Sequence, residues 1–407
     1  MIRWIIFIAI FGIIDFYAFQ AIKTLFKNRW LHYLYVLISV LILGNFIYQI
    51  NHMNGISIST NIAIGLFLTL YLPKTVLMVI MFGEDIIRLP QAAYSFFTEN
   101  DRSQKKHFPL RRKFISQLAL GIAAIPFTSL LYGMYKGKYN FKVLKYTLHF
   151  EDLPDAFDGY RITQISDIHS GSFDNKEKIK YAVDLVNEQQ PDVILFTGDM
   201  VNNKADEMQP WKEIFSKLEA KDGMFSILGN HDYGDYISWE SEEAKKQNLI
   251  NLAEIQKEIG FDLLLNESRF IEKEGQRIAL VGVENWGKGF KQKGDLAKAA
   301  RKIEAKDFKI LMSHDPTHWQ EQVIDDDYHY HLTLSGHTHG MQFGIEIPGW
   351  IKWSPVKWRY KYWAGIYKEK EQYINVNRGF GFLAYPGRVG IWPEITVIEL
   401  KKGSNNA

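Results

Sequence analysis

Four long apolar stretches crowd the first third of the chain, and they limit its fold more than any other feature of its 407 residues. They run from Trp4 to Ile22, Leu31 to Ile50, Ile62 to Gly83 and Phe114 to Tyr135. A helix of about 20 residues crosses the hydrocarbon core of a bilayer, and each stretch supplies roughly that length. Four such stretches in succession are too apolar for the buried helices of a soluble core. A removed signal peptide does not explain the first one, because no small-residue cleavage site follows it and further spans do. The sequence therefore predicts a helical membrane segment over residues 1–140, with spans at about 4–22, 31–50, 62–83 and 114–135, and a separate domain over residues 141–402.

Two of the spans carry ionisable residues, Asp15 in the first and Lys74, beside Pro73, in the third. Charge at membrane depth is costly and is expected to find a partner or a bundle interior, so these two are candidates to pair; snorkelling of Lys74 is the other reading. Loop charge sets the orientation. The loop after the first span carries Lys23, Lys27 and Arg29, the loop at Asn51 to Asn61 has no Lys or Arg, and the loop after the third carries Arg88, Arg102, Lys105, Lys106, Arg111, Arg112 and Lys113. Two basic loops on one side predict a multi-pass protein of the cytoplasmic membrane, with its N-terminus and its C-terminal domain outside the cytoplasm. The run Arg111-Arg112-Lys113-Phe114-Ile115 also resembles a twin-arginine export signal, although a plain positive-inside cluster accounts for it and gives the same orientation.

Beyond Tyr135 the composition changes. A basic, polar connector is expected to about Glu151, followed by buried strands at Tyr160–Ser166, Val193–Thr197 and Met224–Leu228 that alternate with helices at Lys176–Gln190 and Trp211–Leu218. Strands at 262–265, 277–283, 309–312, 331–334, 373–376 and 395–400 follow more closely. The pattern reads as α/β with packed sheets. A formal net charge of +2 is too small to suggest nucleic acid as a partner. Cysteine is absent, so disulfides and thiolate metal sites are excluded.

Five short motifs stand where strands are expected to end. They are Asp167-Ile168-His169, Gly198-Asp199, Gly229-Asn230-His231-Asp232, Ser313-His314-Asp315 and Gly336-His337-Thr338-His339. Ligands gather at the carboxyl ends of strands in α/β sheets, so metal-capable side chains should share one rim. Residues i and i+2 of an extended segment point the same way, which would let Asp167 and His169 reach one cation, and His337 and His339 likewise. The neighbouring glycines Gly198, Gly229 and Gly336 permit sharp turns and close approach. Any one of these motifs arises by chance; five in this order do not.

Over roughly residues 145 to 400 these motifs resemble the calcineurin-like metallophosphoesterase superfamily, and specifically its membrane-associated branch with Gly-His-Thr-His-Gly-x-Gln. The resemblance implies a four-layer αββα sandwich, here preceded by an all-α transmembrane segment of four helices. It implies two divalent metal ions, with Mn, Fe or Zn suited to such oxygen and nitrogen ligands. Asp167, His169 and His339 would bind the first, Asn230, His314 and His337 the second, and Asp199 would bridge them. A hydroxide between the ions would attack phosphorus, with His231 facing the substrate as a catalytic residue and Asp232 as its candidate orienter. Met341 stands where the branch often has glycine, a departure that concerns only loop shape.

The implied activity is a membrane-anchored phosphoesterase acting on a phosphate ester or diphosphate, with a lipid-linked phosphate such as a phospholipid as the favoured class. A phosphodiesterase or nuclease acting on soluble substrates is the enzymatic alternative, and a non-catalytic membrane sensor the other. Arg378 and Arg388 are candidates to clamp a substrate phosphate, with surface ion pairs the other reading. Trp350, Trp353, Trp358 and Trp363 interleave with Lys352, Lys357, Arg359 and Lys361, a combination that favours a bilayer interface or an internal packed loop. His318, His329 and His331 read as ordinary strand or surface residues.

Overall fold

The computed structural model describes residues 2–98, 109–347 and 349–404; the expected loop cations Arg102, Lys105 and Lys106 lie outside these described residues. The chain divides into two compact units, Met1–Met53 with Ile62–Met134, and Asn54–Asn61 with Tyr135–Ala407.

The first unit is built from four helices, α1 (Ile2–Leu25), α2 (Arg29–Asn51), α3 (Ile58–Thr98) and α4 (Pro109–Tyr135), and each contains a stretch long and apolar enough to cross a membrane. Proline inside α3 and α4 (Pro73, Pro126) is tolerated, as is usual in membrane helices. α3 continues well past Gly83, because Glu84, Asp85 and Arg88 end an apolar run without ending a helix. Asp15 and Lys74 do pair, with Lys74 Nζ 2.5 Å from Asp15 Oδ1. Tyr71 donates to the other carboxylate oxygen at 2.8 Å, Tyr35 donates to Oδ1 at 3.1 Å, and Lys74 also donates to Ser39 Oγ at 2.6 Å. Every formal charge in this cluster has a partner, which is what burial in an apolar bundle requires. Arg112 of the twin-arginine run is likewise committed, to Glu84 and, at 2.8 Å, to Asp85.

The second unit holds two six-stranded sheets. In chain order the strands are β1 (Lys142–Phe150), β2 (Arg161–Ile165), β3 (Val193–Phe196), β4 (Met224–Ser226), β5 (Phe261–Leu263), β6 (Glu267–Lys273), β7 (Gln276–Gly282), β8 (Phe308–Met312), β9 (Leu332–Ser335), β10 (Ile345–Ile347), β11 (Ile351–Trp353), β12 (Gly365–Glu369), β13 (Gln372–Val376) and β14 (Glu394–Lys402). The first sheet runs β1-β14-β2-β3-β4-β5 and the second β12-β13-β9-β8-β7-β6; β10 and β11 form a separate hairpin. Within the sheets, β2, β3, β4 and β5 are mutually parallel, as are β7, β8, β9 and β13.

Side-chain alternation along these strands explains the layering. On β3, Val193 and Leu195 enter the core between the sheets, where they join Ile278, Leu280, Ile310 and Leu334. Ile194 and Phe196 point the other way, into a core shared with helix α5 (Lys176–Asn187) through Ile179 and Val183, and with the helix Glu242–Ile259 through Leu252, Ile255 and Ile259. Ala279, Val281 and Leu311 on the far face of the second sheet meet Trp319, Val323 and Leu296. Helices therefore cover both outer faces, giving the four-layer αββα sandwich.

Two sequence expectations need correction. The stretch after Tyr135 is not a connector: β1 occupies it and pairs in parallel with β14 from Lys142 to Phe150. It is an edge strand, largely half-buried or exposed, with only Leu148 and Phe150 fully buried, so its lysines disguised it. The 18-residue helix Glu242–Ile259 was not expected either. Its ends nevertheless follow capping rules: Ser241 accepts from the Ala244 N–H, and Gly260 closes it in the left-handed region.

Candidate metal centre

The carboxyl ends of β2, β3 and β4 in one sheet and of β8 and β9 in the other deliver all five motifs. β2 leads into Asp167 and His169, β3 into Asp199, β4 into Asn230 and His231, β8 into His314, and β9 into His337 and His339. The loops after β2 and β3 go on bonding beyond the strands, with Asp167 N–H donating to Gly198 O and His169 N–H to Asp199 O.

Their side chains converge in two groups. In the first, His169 Nε2 and His339 Nε2 are 3.0 Å apart, and His339 Nε2 is 3.2 Å from Asp167 Oδ1. In the second, His337 Nδ1 is 2.8 Å from Asn230 Oδ1 and 3.3 Å from His314 Nε2. Asp199 Oδ2 joins them, 3.2 Å from His314 Nε2 and 3.7 Å from His169 Nε2. Asp167, His169 and His339 form one potential cation-binding group, and Asp199, His314 and His337 another.

This donor set fits metal ions. Ligands about 2.1 Å from a cation stand roughly 3.0–3.4 Å from one another at octahedral or tetrahedral angles, and the spacings seen, 2.8–3.7 Å, bracket that range. The remaining nitrogens are also arranged for ligation. His314 Nδ1 is 2.7 Å from the Thr197 carbonyl, which can only accept, so its proton sits there and Nε2 is free. Burial opposes a charge on His314, yet the Asp199 and Asp167 carboxylates and the Thr197 carbonyl together outweigh it and raise its imidazole to about 10.

The backbone route to this geometry differs from the extended one expected. Asp167, His169, Asp199, His337 and His339 all have positive φ, between 48° and 70°. The extended route therefore fails for both Asp-x-His and His-x-His; Asp167 and His169 nevertheless share one group, as expected, whereas His337 and His339 serve different groups. Two glycines make the crossing possible. A Cβ on Gly198 (φ +96°) would lie 2.4 Å from Gly229 N, and one on Gly336 would lie 1.9 Å from Ser166 Oγ and 2.2 Å from Asp167 Oδ2. Met341 also adopts positive φ, 55°, in the left-handed region that favours glycine.

His231 sits at the edge of the pair. Its N–H donates to Asp199 Oδ1 at 2.8 Å, leaving Oδ2 to face the imidazoles. Its Nδ1 donates to the Asn202 carbonyl at 2.8 Å, so Nε2 is its free nitrogen. Asp232 does not orient it. That carboxylate is buried and accepts from the backbone N–H groups of Asp199, Met200 and Gly229 at 2.8–2.9 Å and of Val201 at 3.3 Å; its work is to shape the Asp199 loop.

Arg378 and Arg388 are both buried. Arg378 bonds Glu346 at 2.5–2.9 Å and Glu394 at 2.5 Å. Arg388 donates to the Gly379 and Gly381 carbonyls and lies 3.2 Å from His339 Nδ1. The Arg378 guanidinium is committed to two carboxylates, and Arg388 engages Nε and Nη2 while its buried Nη1 has no partner among the described residues. His318 is buried, stacked on Trp286, and His331 is buried, stacked on Phe308; they are packing residues. Of the four tryptophans, Trp363 is buried and Trp353 partly so, while Trp350 and Trp358 are 77% exposed.

Two residues near the centre escaped the sequence reading, Tyr360 and Tyr236, and a third, Arg359, enters it only as a base of the tryptophan-rich segment. Tyr360 Oη lies 2.8 Å from His337 Nε2, and Tyr236 Oη accepts from Asn230 Nδ2 at 2.8 Å. The exposed Arg359 lies over Phe290 and Tyr360, two rings that themselves contact His337. Arg359 and Tyr360 belong to the tryptophan-rich segment, whose position directly after Gly-His-Thr-His was the available signal.

Residues 2–138 match the family model described as "Probable Calcineurin-like phosphoesterase, transmembrane domain", and residues 160–341 match "Calcineurin-like phosphoesterase". The "Uncharacterized metallophosphoesterase YkuE" of Bacillus subtilis is 30% identical over 299 residues, 72% of this chain and 97% of that protein. The "Phosphodiesterase YaeI" of Escherichia coli is 28% identical over 295 residues, 71% of this chain and 98% of that one. A "Transmembrane protein with metallophosphoesterase domain" from Danio rerio is 27% identical over 300 residues, 70% of this chain and 62% of its own length. The chain belongs to the calcineurin-like metallophosphoesterases, hydrolases that use divalent metal ions, and joins that domain to the family's transmembrane helices.

Proposed function

We propose that this protein is a two-metal phosphoesterase whose catalytic domain lies outside the cytoplasm and acts on a lipid-linked phosphate ester or diphosphate. The observation that carries the proposal is the single oxygen of Asp199, Oδ2, between imidazoles of the two groups. Asp167, His169 and His339 would hold one divalent ion, Asn230, His314 and His337 the other, and Asp199 both. Bound there, such ions activate water and neutralise charge on phosphoryl oxygens.

The protein's own part is positioning and proton transfer. His231 presents Nε2 to the substrate, and in its doubly protonated form it would give the Nε2 proton to the leaving oxygen while Nδ1–H stays on the Asn202 carbonyl. Arg359, at the rim beside the His337 contacts, attracts the phosphate. For lipid access, support comes from the hairpin β10–β11 and the segment after it. Trp350 and Trp358 are exposed there together with Ile345 and Ile347, and indole at an interface is stable where isolated apolar exposure is not. For orientation, support comes from loop charge and from residues 54–61, which belong to the same compact unit as the phosphoesterase domain. A connection after the second span and a domain after the fourth share a side only if an even number of crossings lies between them.

The test is turnover of aryl phosphate mono- and diesters by the full-length protein in detergent, with metal content measured alongside. His231→Ala should lower turnover at least a hundredfold with metal retained; unchanged turnover would refute the proposal. Diester preference would follow the bacterial relative named as a phosphodiesterase. Trp350→Ser with Trp358→Ser should reduce turnover of micellar esters and spare soluble ones. Equal loss on both would remove the lipid from the proposal.

A further inference from the structure

Residues 54–61, which are most of the connection between α2 and α3 together with the first turn of α3, belong to the same compact unit as the phosphoesterase domain. Asn203 holds the connection by both ends of its amide: Nδ2 donates to the Ile56 carbonyl at 2.8 Å and Oδ1 accepts from the Ile56 N–H at 3.1 Å. Asn61 Nδ2 donates to Ser172 Oγ at 3.2 Å, and Asn54 Oδ1 accepts from the Ser238 N–H at 2.8 Å. The fit is close. Gly55 has φ +81°, and a Cβ there would lie 2.3 Å from Asn203 Oδ1 and from Ile237 Cγ2. Only glycine allows the two backbones this approach.

The same short stretch of the domain faces the metal centre. Asn202, next to Asn203, offers the carbonyl that receives His231 Nδ1–H, and its side chain donates at 3.0 Å to Ser172 Oγ, the hydroxyl that also takes Asn61. Glu207 ties both neighbours together, accepting from the Asn202 and Asn203 N–H groups through one oxygen and from Asn203 Nδ2 through the other. Asn203 thus grips the connection while Asn202 orients the histidine. The ring needs that carbonyl, because it places the proton on Nδ1 and leaves Nε2 toward the substrate.

We infer that residues 54–61 are a positioning element for His231, acting through Asn203 and Ser172 on the Asn202 carbonyl. The inference rests on the proposed role of His231 and goes further, since it makes a segment between two apolar helices part of the catalytic apparatus. It explains why this polar stretch, free of Lys and Arg, buries Gly55 and Asn61.

The test uses full-length protein in detergent with manganese and an aryl phosphate ester. Asn203→Ala is expected to lower kcat about tenfold at unchanged KM and metal content, and to cause no further loss in a His231→Ala background. Gly55→Val should behave alike, and Asn61→Ala, which removes one hydrogen bond, replaces it if yield falls. Parental kcat in Asn203→Ala and Asn61→Ala would overturn the inference while leaving His231 in its role. Equal fractional losses with and without His231 would overturn it too, because general destabilisation does not depend on that side chain. Full turnover by His231→Ala would overturn the site reading and the inference together.

Discussion

Tyr360→Phe should weaken metal binding at the group formed by Asp199, Asn230, His314 and His337 without disturbing the fold. His337 turns Nδ1 toward Asn230 and His314, so its proton lies on Nε2, 2.8 Å from the Tyr360 hydroxyl. That bond fixes the tautomer and tilt of the ring, and losing such a partner typically costs 10–100-fold in metal affinity, or about 1.4–2.7 kcal/mol. Phenylalanine keeps the ring, which is 6% exposed and packed with Val356, Trp363 and Ile391, so loss of packing is not expected. Asp315 Oδ2 limits the effect. It lies 3.4 Å from His337 Nε2 and has no hydrogen-bond partner, so it can take over part of the proton's stabilisation. The single variant should sit near the tenfold end, and Tyr360→Phe with Asp315→Asn near the hundredfold end. Competition against a chelator of known affinity measures both, with metal counted per chain. Wild-type affinity in the double variant would refute the assignment of Nδ1 as the ligand atom. A falling melting temperature at unchanged affinity would show that Tyr360 acts through packing alone.

Gly336→Ala should abolish metal binding at the group containing Asp167, because its Cβ would overlap both Ser166 Oγ and Asp167 Oδ2; adding Ser166→Ala should not restore it, and metal analysis decides. Acid should destabilise the protein through two histidines. Burial lowers His318 and His331 to about 4, whereas the unfolded chain protonates near 6.5. Stability is therefore present above about pH 6.5 and is lost as pH falls toward 4, by up to about 3 kcal/mol for each; thermal unfolding of His318→Gln across that range should show a shallower loss. Arg359→Ala should raise KM severalfold at unchanged kcat and metal content in ester turnover, if it attracts the phosphate. In the helical unit, Asp15→Leu alone should sharply lower the yield of folded protein, because it leaves Lys74 buried without its carboxylate, by roughly 3–5 kcal/mol. Asp15→Leu with Lys74→Met should recover much of it, measured by monodispersity in detergent.

Much of this architecture was legible in the sequence because it follows from periodicity. Apolar length marked the four helices, and buried runs such as Val193–Phe196 marked strands whose ends carry the motifs. Less legible were elements whose apolar content is low. β1 exposes much of its surface as an edge strand, and the helix Glu242–Ile259 buries only a narrow stripe. At the site, residue types announced the metal-capable side chains, but their partners had no such signal. Asn202 orients His231 through a main-chain carbonyl, which any residue possesses. Tyr360 is one of several aromatics in its segment and is set apart only by folding. Arginines in Asn-Arg-Gly and Gly-Arg contexts look like phosphate clamps until Glu346, Glu394 and two glycine carbonyls are seen to occupy them.

The deepest departure from the sequence reading lies in the backbone of the metal-capable residues. Left-handed conformation costs an ordinary residue roughly 1–2 kcal/mol, and Asp167, His169, Asp199, His337 and His339 all adopt it. Together they represent a load comparable to the stability of a whole domain, so something must hold them there. The hydrogen bonds show what does. Asp232 gathers four N–H groups of the Asp199 and Gly229 turns, Asp199 Oδ1 takes the His231 N–H, and both oxygens of Asp167 take the His337 N–H. The acidic side chains proposed to hold the ions thus also pin the loops that present their neighbours. An amide at position 199 would lose the charge of a proposed ligand and, if its nitrogen turned to the His231 N–H, the anchor of His231 as well. Local rules of chain geometry are broken where these side chains converge, and Asp167 and Asp199, the carboxylates proposed to hold the ions, join Asp232 in making the break stable.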